Sequence, residues 1–346
     1  MQNNTELLPN FWYVAAPACK LAKGAMLPVT LLGKQLLLLR DKNGTVSALR
    51  DFCPHRGIPL RHGTFDGTEV QCCYHGWRFD TAGTCTTIPS LTEDDKMEVR
   101  KIKCGNFHCV EQNGLIWIYP GATSEQPAPP PTMAIAMPRG FTHVTSADLP
   151  CHIDHAVIGL MDPAHGPFVH RSWWWRSAKS IHAKAKNFAP RPFGFAMVSH
   201  KPSANSRAYK ILGGDRTTEI KFELPALRSE HITIGHHHIY LLTALTPIDA
   251  SKTILHQFVY TSNPILNALL PLLKIFGRAF IKQDVDIVVK QQEGLSQNPG
   301  TPLMLIADAD TQALWYYRLK KEALAAVIEA RPFENPLKER TLRWRS

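Results

Sequence analysis

The sequence predicts an α+β protein of two domains: a small antiparallel β domain, then a larger α+β domain in which an antiparallel sheet is joined by helices. Three observations carry this. A length of 346 residues is long for one core and suits two, each burying its own. Residues 11–118 alternate short apolar runs with turn signals, whereas the last third carries long helical stretches. Between them, Gln126-Pro127-Ala128-Pro129-Pro130-Pro131 breaks both patterns.

In the first domain the strand-like runs are Trp12-Tyr13-Val14, Gln35-Leu36-Leu37-Leu38-Leu39 and Leu115-Ile116-Trp117-Ile118-Tyr119. Asp41-Lys42-Asn43-Gly44 and Gly83 punctuate them. Closely spaced short strands of this kind pair as an antiparallel sheet. The proline run has a stiff, extended backbone, so residues 126–132 are expected to link a domain over 1–125 to one over 133–346. A mixed region then reaches about residue 190, followed by strand-like runs at Thr217–Leu224, His231–Leu242 and Thr253–Tyr260. The final third reads as helical: an apolar stretch from Pro264 to Ile281, then a last helix from Asp310 to Glu329. No internal repeat is present.

Two short stretches of the first domain carry chemistry. Cys53-Pro54-His55-Arg56-Gly57 and Cys72-Cys73-Tyr74-His75-Gly76-Trp77 give Cys-x-His, a gap of 16 residues, then Cys-x2-His. A structural zinc can use two thiolates and two imidazoles. Zinc pairs, however, usually come as Cys-x2-Cys and His-x3-5-His, each of one residue type. Here each pair mixes one Cys with one His. That suits a [2Fe–2S] cluster in which one iron takes both cysteines and the other both histidines, the Rieske type. Gly57 and Gly76 follow the two histidines, where backbone amides can approach the cluster sulfurs. Trp77 is expected to be a core aromatic.

The segment resembles the Rieske domain of the Rieske non-heme iron oxygenases, whose pattern is Cys-x-His-Arg-Gly, then Cys-Pro-Tyr-His-Gly-Trp. Cys73 stands here where the family has proline, which leaves a spare thiol beside Cys72. Only Cys72 makes Cys-x2-His. The expected cluster ligands are therefore Cys53, His55, Cys72 and His75, and Cys73 is expected to be a buried small hydrophobe. The resemblance implies a catalytic domain of helix-grip type behind the cluster domain.

Asp162-Pro163-Ala164-His165-Gly166-Pro167-Phe168-Val169-His170 contains Asp-x2-His-x4-His. Two imidazoles five positions apart, with Gly166-Pro167 breaking any regular helix between them, can converge on one ion. A chain with sixteen histidines also produces close pairs by accident. Beside the first motif, this pair resembles the mononuclear iron site of the same family. There two His and one carboxylate hold Fe(II) on one face, leaving positions open for O2 and substrate. The segment from Phe280 to Glu293 is similar to the family helix with Phe-x2-Glu/Gln-Asp followed by an apolar run. On that match Asp284 is the third ligand, while Asp286, about 200° round a helix from Asp284, and Glu293 lie elsewhere. The resemblance also implies a role for Asp162: a bridge from an iron histidine to a Rieske histidine of a neighbouring subunit. That arrangement needs a head-to-tail ring, usually a homotrimer.

Other residues invite a metal or pocket reading. His236-His237-His238 looks metal-like, but neighbours on a strand point to opposite faces, so a polar strand edge is expected. His152, Asp154 and His155, just upstream of the iron motif, could support it from behind. Trp173-Trp174-Trp175 reads as packing, with a pocket wall as the alternative.

Composition bounds the remaining classes. Hydrophobic content of 44% with 20% charged residues suits a soluble enzyme. Met1-Gln2-Asn3-Asn4 is polar and no apolar segment follows, so no secretory signal is expected. Six cysteines outside the cluster set show no paired spacing, which suits a reducing cytoplasm. The net charge of +10 has no basic, aromatic-interleaved module behind it, so nucleic acid is not an expected partner. Docking of an acidic electron donor or a merely basic surface both accommodate the charge, which is densest at Lys338, Arg340, Arg343 and Arg345. Pro271, Lys274 and Arg278 make 264–281 poor as a transmembrane span. Its expected place is the core or a substrate tunnel, with peripheral contact of a surface helix with a bilayer as the alternative.

The expected function, implied by the resemblance, is that of a terminal oxygenase, a monooxygenase in preference to a dioxygenase. It would pass electrons through a Rieske [2Fe–2S] cluster to a mononuclear Fe(II) and use O2 to hydroxylate or oxidatively demethylate a small lipophilic substrate, polycyclic or sterol-like. No Gly-x-Gly-x2-Gly follows a strand, so a separate NAD(P)H-dependent reductase or ferredoxin is expected. The alternatives are an aromatic-ring dioxygenase, a ferredoxin-like carrier, which would leave the second motif unused, and a zinc-stapled binding module.

Overall fold

In the computed structural model, which describes residues 6–121, 126–137, 140–141, 143–170, 181–201 and 216–346, the chain divides into two units. One is Pro9–Met133; the other is Ala134–Ser346, with the residues before Pro9 grouped with it.

The first unit is built around the leucine run. Leu36 to Leu39 are at most 1% exposed, because strand β3 (Lys34–Arg40) lies inside a six-stranded antiparallel sheet. Its order is β1 (Tyr13–Pro17), β10 (Leu115–Tyr119), β9 (Asn106–Gln112), β4 (Val46–Arg50), β3 and β2 (Met26–Leu31). A second sheet is a meander of very short strands, β5 (Thr64–Phe65), β6 (Glu69–Gln71), β7 (Arg78–Asp80) and β8 (Cys85–Thr87). Leu37, Leu39 and Leu49 of the large sheet share one buried cluster with Val70, Phe79 and Cys85 of the small one, and Cys53 and Cys72 belong to it. The proline run is laid along this unit: Trp12 Nε1 donates to the Ala128 carbonyl at 2.6 Å, and Gln112 Nε2 to that of Pro131 at 3.0 Å.

The second unit has an eight-stranded antiparallel sheet in the order β11 (His143–Leu149), β17 (Thr253–Thr261), β16 (His237–Pro247), β15 (Leu227–Ile234), β14 (Arg216–Glu223), β13 (Gly194–His200), β12 (Ala183–Arg191) and β18 (Arg340–Arg345). Four helices are described: α1 (Ile153–Met161), α2 (Gly166–Val169), α3 (Pro264–Gln297) and α4 (Thr311–Ile328). Phe188, Phe195 and Phe222 of the sheet meet Trp315 and Tyr316 of α4 with ring centroids 5.2–5.8 Å apart, so apolar area and edge-to-face geometry fix α4 on the sheet. Asp154 of α1 is tied to α4 by Lys320 Nζ at 2.8 Å and the Tyr316 hydroxyl at 2.6 Å, all three buried.

Two expectations are corrected here, for the runs 231–242 and 264–281, and the basic tail is placed. The run His231–Leu242 is two strands, because Gly235, at φ +58°, turns the chain with His236 and places the triplet across a hairpin tip. The basic tail is an edge strand, β18, whose Leu342 and Trp344 point inward while Arg340, Arg343 and Arg345 face solvent. Edge strands commonly carry exposed charge that discourages pairing with other chains, so the charge there needs no binding role. The apolar stretch 264–281 is not a core helix. The most apolar 18-residue window of α3 has a mean hydropathy of 1.5, yet only 6% of it is buried. By length and composition α3 is apolar enough to cross a membrane, which is weak evidence alone. The tryptophans 173–175 lie outside the described residues.

Candidate metal centres

The two Cys/His loops of the first unit share one backbone design. Cys53 N donates to Ile58 O and Gly57 N to Cys53 O; Cys72 N donates to Trp77 O and Gly76 N to Cys72 O. Each glycine thus sits four residues after its cysteine, at φ +75° and +73°, a conformation glycine adopts without strain. An added Cβ would also press on Phe52 at 3.3 Å or Pro89 at 3.1 Å. The second loop is the tip of the β6–β7 hairpin; the first follows β4.

This design sorts the side chains. Cys53 and Cys72 are buried, His75 is exposed and His55 half-buried. The two imidazoles lie side by side with centroids 4.5 Å apart, and Trp77 stacks flat on His55 at 4.5 Å. Burial, with the facing Cys72 thiol adding to it, pushes the Cys53 thiol up to about 11. Desolvation, then the neighbouring His75 and Arg56, lower His55 below its usual value and favour the neutral ring, the form that binds metal. A metal centre inside the loops would hold both thiols as thiolates. Among the described residues, the one group of three donor atoms within 4.8 Å of one another lies elsewhere, so this quartet is not gathered round a single point as tetrahedral zinc requires. An inner thiol pair and an outer imidazole pair fit a two-iron cluster. Trp77 Nε1 is buried without a partner, a donor at the site with nothing of the protein to receive it.

Cys73 departs from expectation: it is exposed, not buried. It follows Cys72 at the hairpin tip, where one side chain turns into the core and the next, with Tyr74, turns out.

The second centre is assembled by three elements of the other unit. Helix α1 ends at Met161 because Asp162 precedes Pro163 and takes an extended backbone at ψ 120°. The turn that follows delivers His165, and one turn of α2 delivers His170. Asp162 accepts from Ala164 N at 2.6 Å and holds His165 Nδ1 at 3.4 Å. Helix α3 supplies the rest from one face, since Phe280, Gln283 and Asp284 stand at i, i+3 and i+4. Phe280 stacks on His170 at 3.6 Å, Gln283 Oε1 receives His170 Nδ1 at 3.0 Å, and Asp284 Oδ1 lies 3.2 Å from His170 Nε2 and 3.9 Å from His165 Nε2.

With both Nδ1–H groups engaged, the two Nε2 lone pairs face each other at 3.1 Å beside a carboxylate. Three acceptors so placed repel unless a proton or a cation lies among them. The separations of 3.1, 3.2 and 3.9 Å define a point about 2.0 Å from all three atoms, a usual metal–ligand length. Burial lowers the His165 pKa, but Asp162 and then Asp284 outweigh it, and the net shift is upward. Two imidazoles and one carboxylate with open positions are the donor set of a non-heme Fe(II) centre.

Of the carboxylates considered, the structure brings Asp284 to the histidines. Asp286 pairs with Lys282 at 2.9 Å and points to solvent, and Glu293 is exposed. His152 and Asp154 do not reach this site: His152 caps α1, accepting from Asp154 N, and Asp154 belongs to the α4 contact. His238 bonds His231 at 3.0 Å. Gln283 and Phe280 had no assigned role in the sequence; their spacing from Asp284 was the available signal. Among the described residues, a cavity of about 410 Å³ beside Lys34 and Arg50 and one of about 180 Å³ beside Arg191 and Tyr240 are not lined by the trio.

Comparison with known proteins agrees with this construction. The Rieske [2Fe-2S] domain family matches residues 11–110. Chlorophyllide a oxygenase, chloroplastic, from Arabidopsis thaliana is 33% identical over 167 residues, 48% of this chain and 30% of that protein. The 4beta-methylsterol monooxygenase of Methylococcus capsulatus is 36% identical over 112 residues, 32% of this chain and 30% of that one. The chain therefore matches about a third or less of the length of these relatives. The crystal structure of dicamba monooxygenase bound to dicamba superposes with a TM-score of 0.73 at 23% identity, covering 94% of this chain and 99% of the other, which shows a common fold. Residues 11–110 therefore belong to the Rieske [2Fe-2S] domain family, and the chain as a whole shares the fold of dicamba monooxygenase. The Rieske domain brings a [2Fe–2S] cluster.

Proposed function

We propose that this chain is the terminal oxygenase component of a multi-protein system and that it hydroxylates or oxidatively demethylates a lipophilic, polycyclic or sterol-like substrate. Electrons come from a separate NAD(P)H-dependent reductase or a ferredoxin. The observation that carries the reading is the convergence of His165, His170 and Asp284 in a chain that also has the Cys53/His55/Cys72/His75 loops. When bound, the cluster supplies one-electron transfer and the iron supplies O2 activation.

The chain's own residues divide the remaining work. Cys53 and Cys72 grip the cluster from the core, while His55 and His75 present its other end to solvent beside the exposed Arg56, a setting suited to an acidic donor. Asp162 and Gln283 each hold one ring nitrogen, so that both Nε2 atoms aim at the iron position. Phe280 covers one face of His170. The Asp162 side chain is 31% exposed, which leaves an edge for a Rieske histidine of a neighbouring subunit in the homotrimer proposed here.

Monooxygenation is the reading proposed here, and relatives named for monooxygenation and O-demethylation are among those that match. A subunit of 3-chlorobenzoate-3,4-dioxygenase matches as well, which makes ring dioxygenation the second reading. Single-turnover reaction of the reduced, iron-loaded protein with labelled dioxygen and a panel of sterols and polycyclic aromatics separates them. One labelled oxygen in a hydroxylated product, or demethylation with release of formaldehyde, supports the proposal, and two labelled oxygens in one product support the dioxygenase. Reoxidation of the cluster with neither a labelled nor a demethylated product from any panel member refutes the substrate class.

A further inference from the structure

Trp77 joins the two Cys/His loops. Its carbonyl accepts from Cys72 N at 2.8 Å, which fixes its backbone at the base of the second loop. Its ring lies flat on His55 of the first loop, with 4.5 Å between centroids and 5° between planes. The same ring packs on the buried cluster that contains Cys53 and Cys72. Phenylalanine would supply that apolar contact as well. What the indole adds is one polar group, Nε1–H, and this group is buried without an acceptor among the described residues.

An indole N–H can only donate, and it usually finds a partner when buried. Leaving the bond unmade costs the full desolvation of the donor. Elsewhere the chain meets the requirement: Trp12 Nε1 donates to Ala128 O at 2.6 Å, and Trp344 Nε1 to Ser346 Oγ at 3.0 Å. Trp117 Nε1 is also unpartnered, but Trp117 stands in β10 and has no part in the buried cluster of Cys53 and Cys72. Trp77 does, and tilting its ring toward solvent would break the stack on His55. The sulfurs of Cys53 and Cys72 do not receive the N–H as they stand. The acceptors left at this place belong to the group that the loops hold, and in a Rieske centre those are the inorganic sulfurs.

We propose that Trp77 Nε1–H donates a hydrogen bond to an inorganic sulfur of the [2Fe–2S] cluster and thereby raises the cluster's reduction potential. Reduction adds one electron and makes the sulfurs more negative, so a donor held against one of them stabilises the reduced state more than the oxidised state. The stack on His55 holds the indole for this role, and the role needs neither the substrate nor the mononuclear iron.

The test is pulsed EPR of the dithionite-reduced, full-length protein carrying tryptophan isotope-labelled at the indole nitrogen. A coupling between that nitrogen and the reduced cluster is expected, and Trp77→Phe should abolish it. In a redox titration followed by visible absorbance, Trp77→Phe should move the reduction equilibrium roughly tenfold toward the oxidised form, about 59 mV lower for a one-electron couple. Trp77→Leu, which loses both the N–H and the ring, should shift at least as far. A labelled wild-type protein with no indole coupling overturns the proposal, whether or not any variant loads its cluster. A phenylalanine variant that titrates within about twofold of wild type overturns it too, because tenfold is expected. So does a shift in the leucine variant alone, which would assign the effect to the stack and not to the N–H.

Discussion

Replacing Gln283 with leucine should weaken iron retention without touching the cluster. His170 is 3% exposed, covered by Phe280 at 3.6 Å, and its Nδ1 meets Gln283 Oε1 at 3.0 Å. In Gln283→Leu that N–H keeps its burial and loses its acceptor, at a cost of about 1–3 kcal/mol. The ring can escape only by turning, which takes Nε2 away from Asp284. At about 1.4 kcal/mol per factor of ten, either outcome lowers iron affinity by roughly 10–100-fold. Gln283→Glu should largely retain iron, because a carboxylate accepts from Nδ1–H as an amide oxygen does. The assay is iron loss to a graded chelator, with cluster absorbance as the internal control. A leucine variant within about twofold of wild type would refute the orienting role, since the expected loss starts at tenfold. An equal loss in the glutamate variant would refute it too, and parallel loss of cluster absorbance would point to misfolding instead.

Four further outcomes are expected. Cys72→Ser should abolish the cluster's visible and EPR signals while Cys73→Ser, at an exposed position, keeps them; the reverse result would move the ligand. Asp284→Ala, like His165→Ala or His170→Ala, should cost about one iron per chain while Asp286→Ala costs none, since the donor atoms of the first three converge on one point and Asp286 is paired with Lys282. Iron lost from Asp286→Ala alone would transfer the role. Asp162→Asn should keep both metals and lose about 10–100-fold or more in turnover, and mixing His75→Ala with His165→Ala chains should restore some activity through shared rings. Full activity in Asp162→Asn, or no rescue despite proven mixing, would refute the cross-subunit route. Lys320→Met should destabilise the second unit by about 3–5 kcal/mol in a denaturant titration, because it strands the buried Asp154 carboxylate, and adding Asp154→Leu should recover most of it. A single-variant loss below about 1 kcal/mol would show that the pair carries little.

Both histidine-bearing motifs were legible because their spacing is local. Cys-x-His and Cys-x2-His each close within one turn, and the matching glycines are visible beside them. Asp-x2-His-x4-His is likewise a single bent segment around Gly166-Pro167. The helix of residues 311–328 was read nearly to its ends. The triplet His236-His237-His238 misled the strand reading because a hairpin turn and a strand edge share the same polar letters, and only the left-handed Gly235 separates them.

By itself, then, the sequence determined which residues can present metal donors together, since a few bonds of chain limit how far those side chains can part. It also determined the order of the two units, because periodicity and the proline run are properties of neighbours along the chain. Which acid joins the histidines was decided only in three dimensions: Asp284 lies 114 residues from His170, and the docking of α3 on β11 turned Asp284 inward and Asp286 toward Lys282. The same docking exposed the apolar side of α3 that composition had assigned to the core, and the pairing of β18 with β12 turned a basic tail into a sheet edge. Hydrophobicity states what a residue gains by burial; whether a surface is there to bury it depends on the packing of elements far apart in the chain.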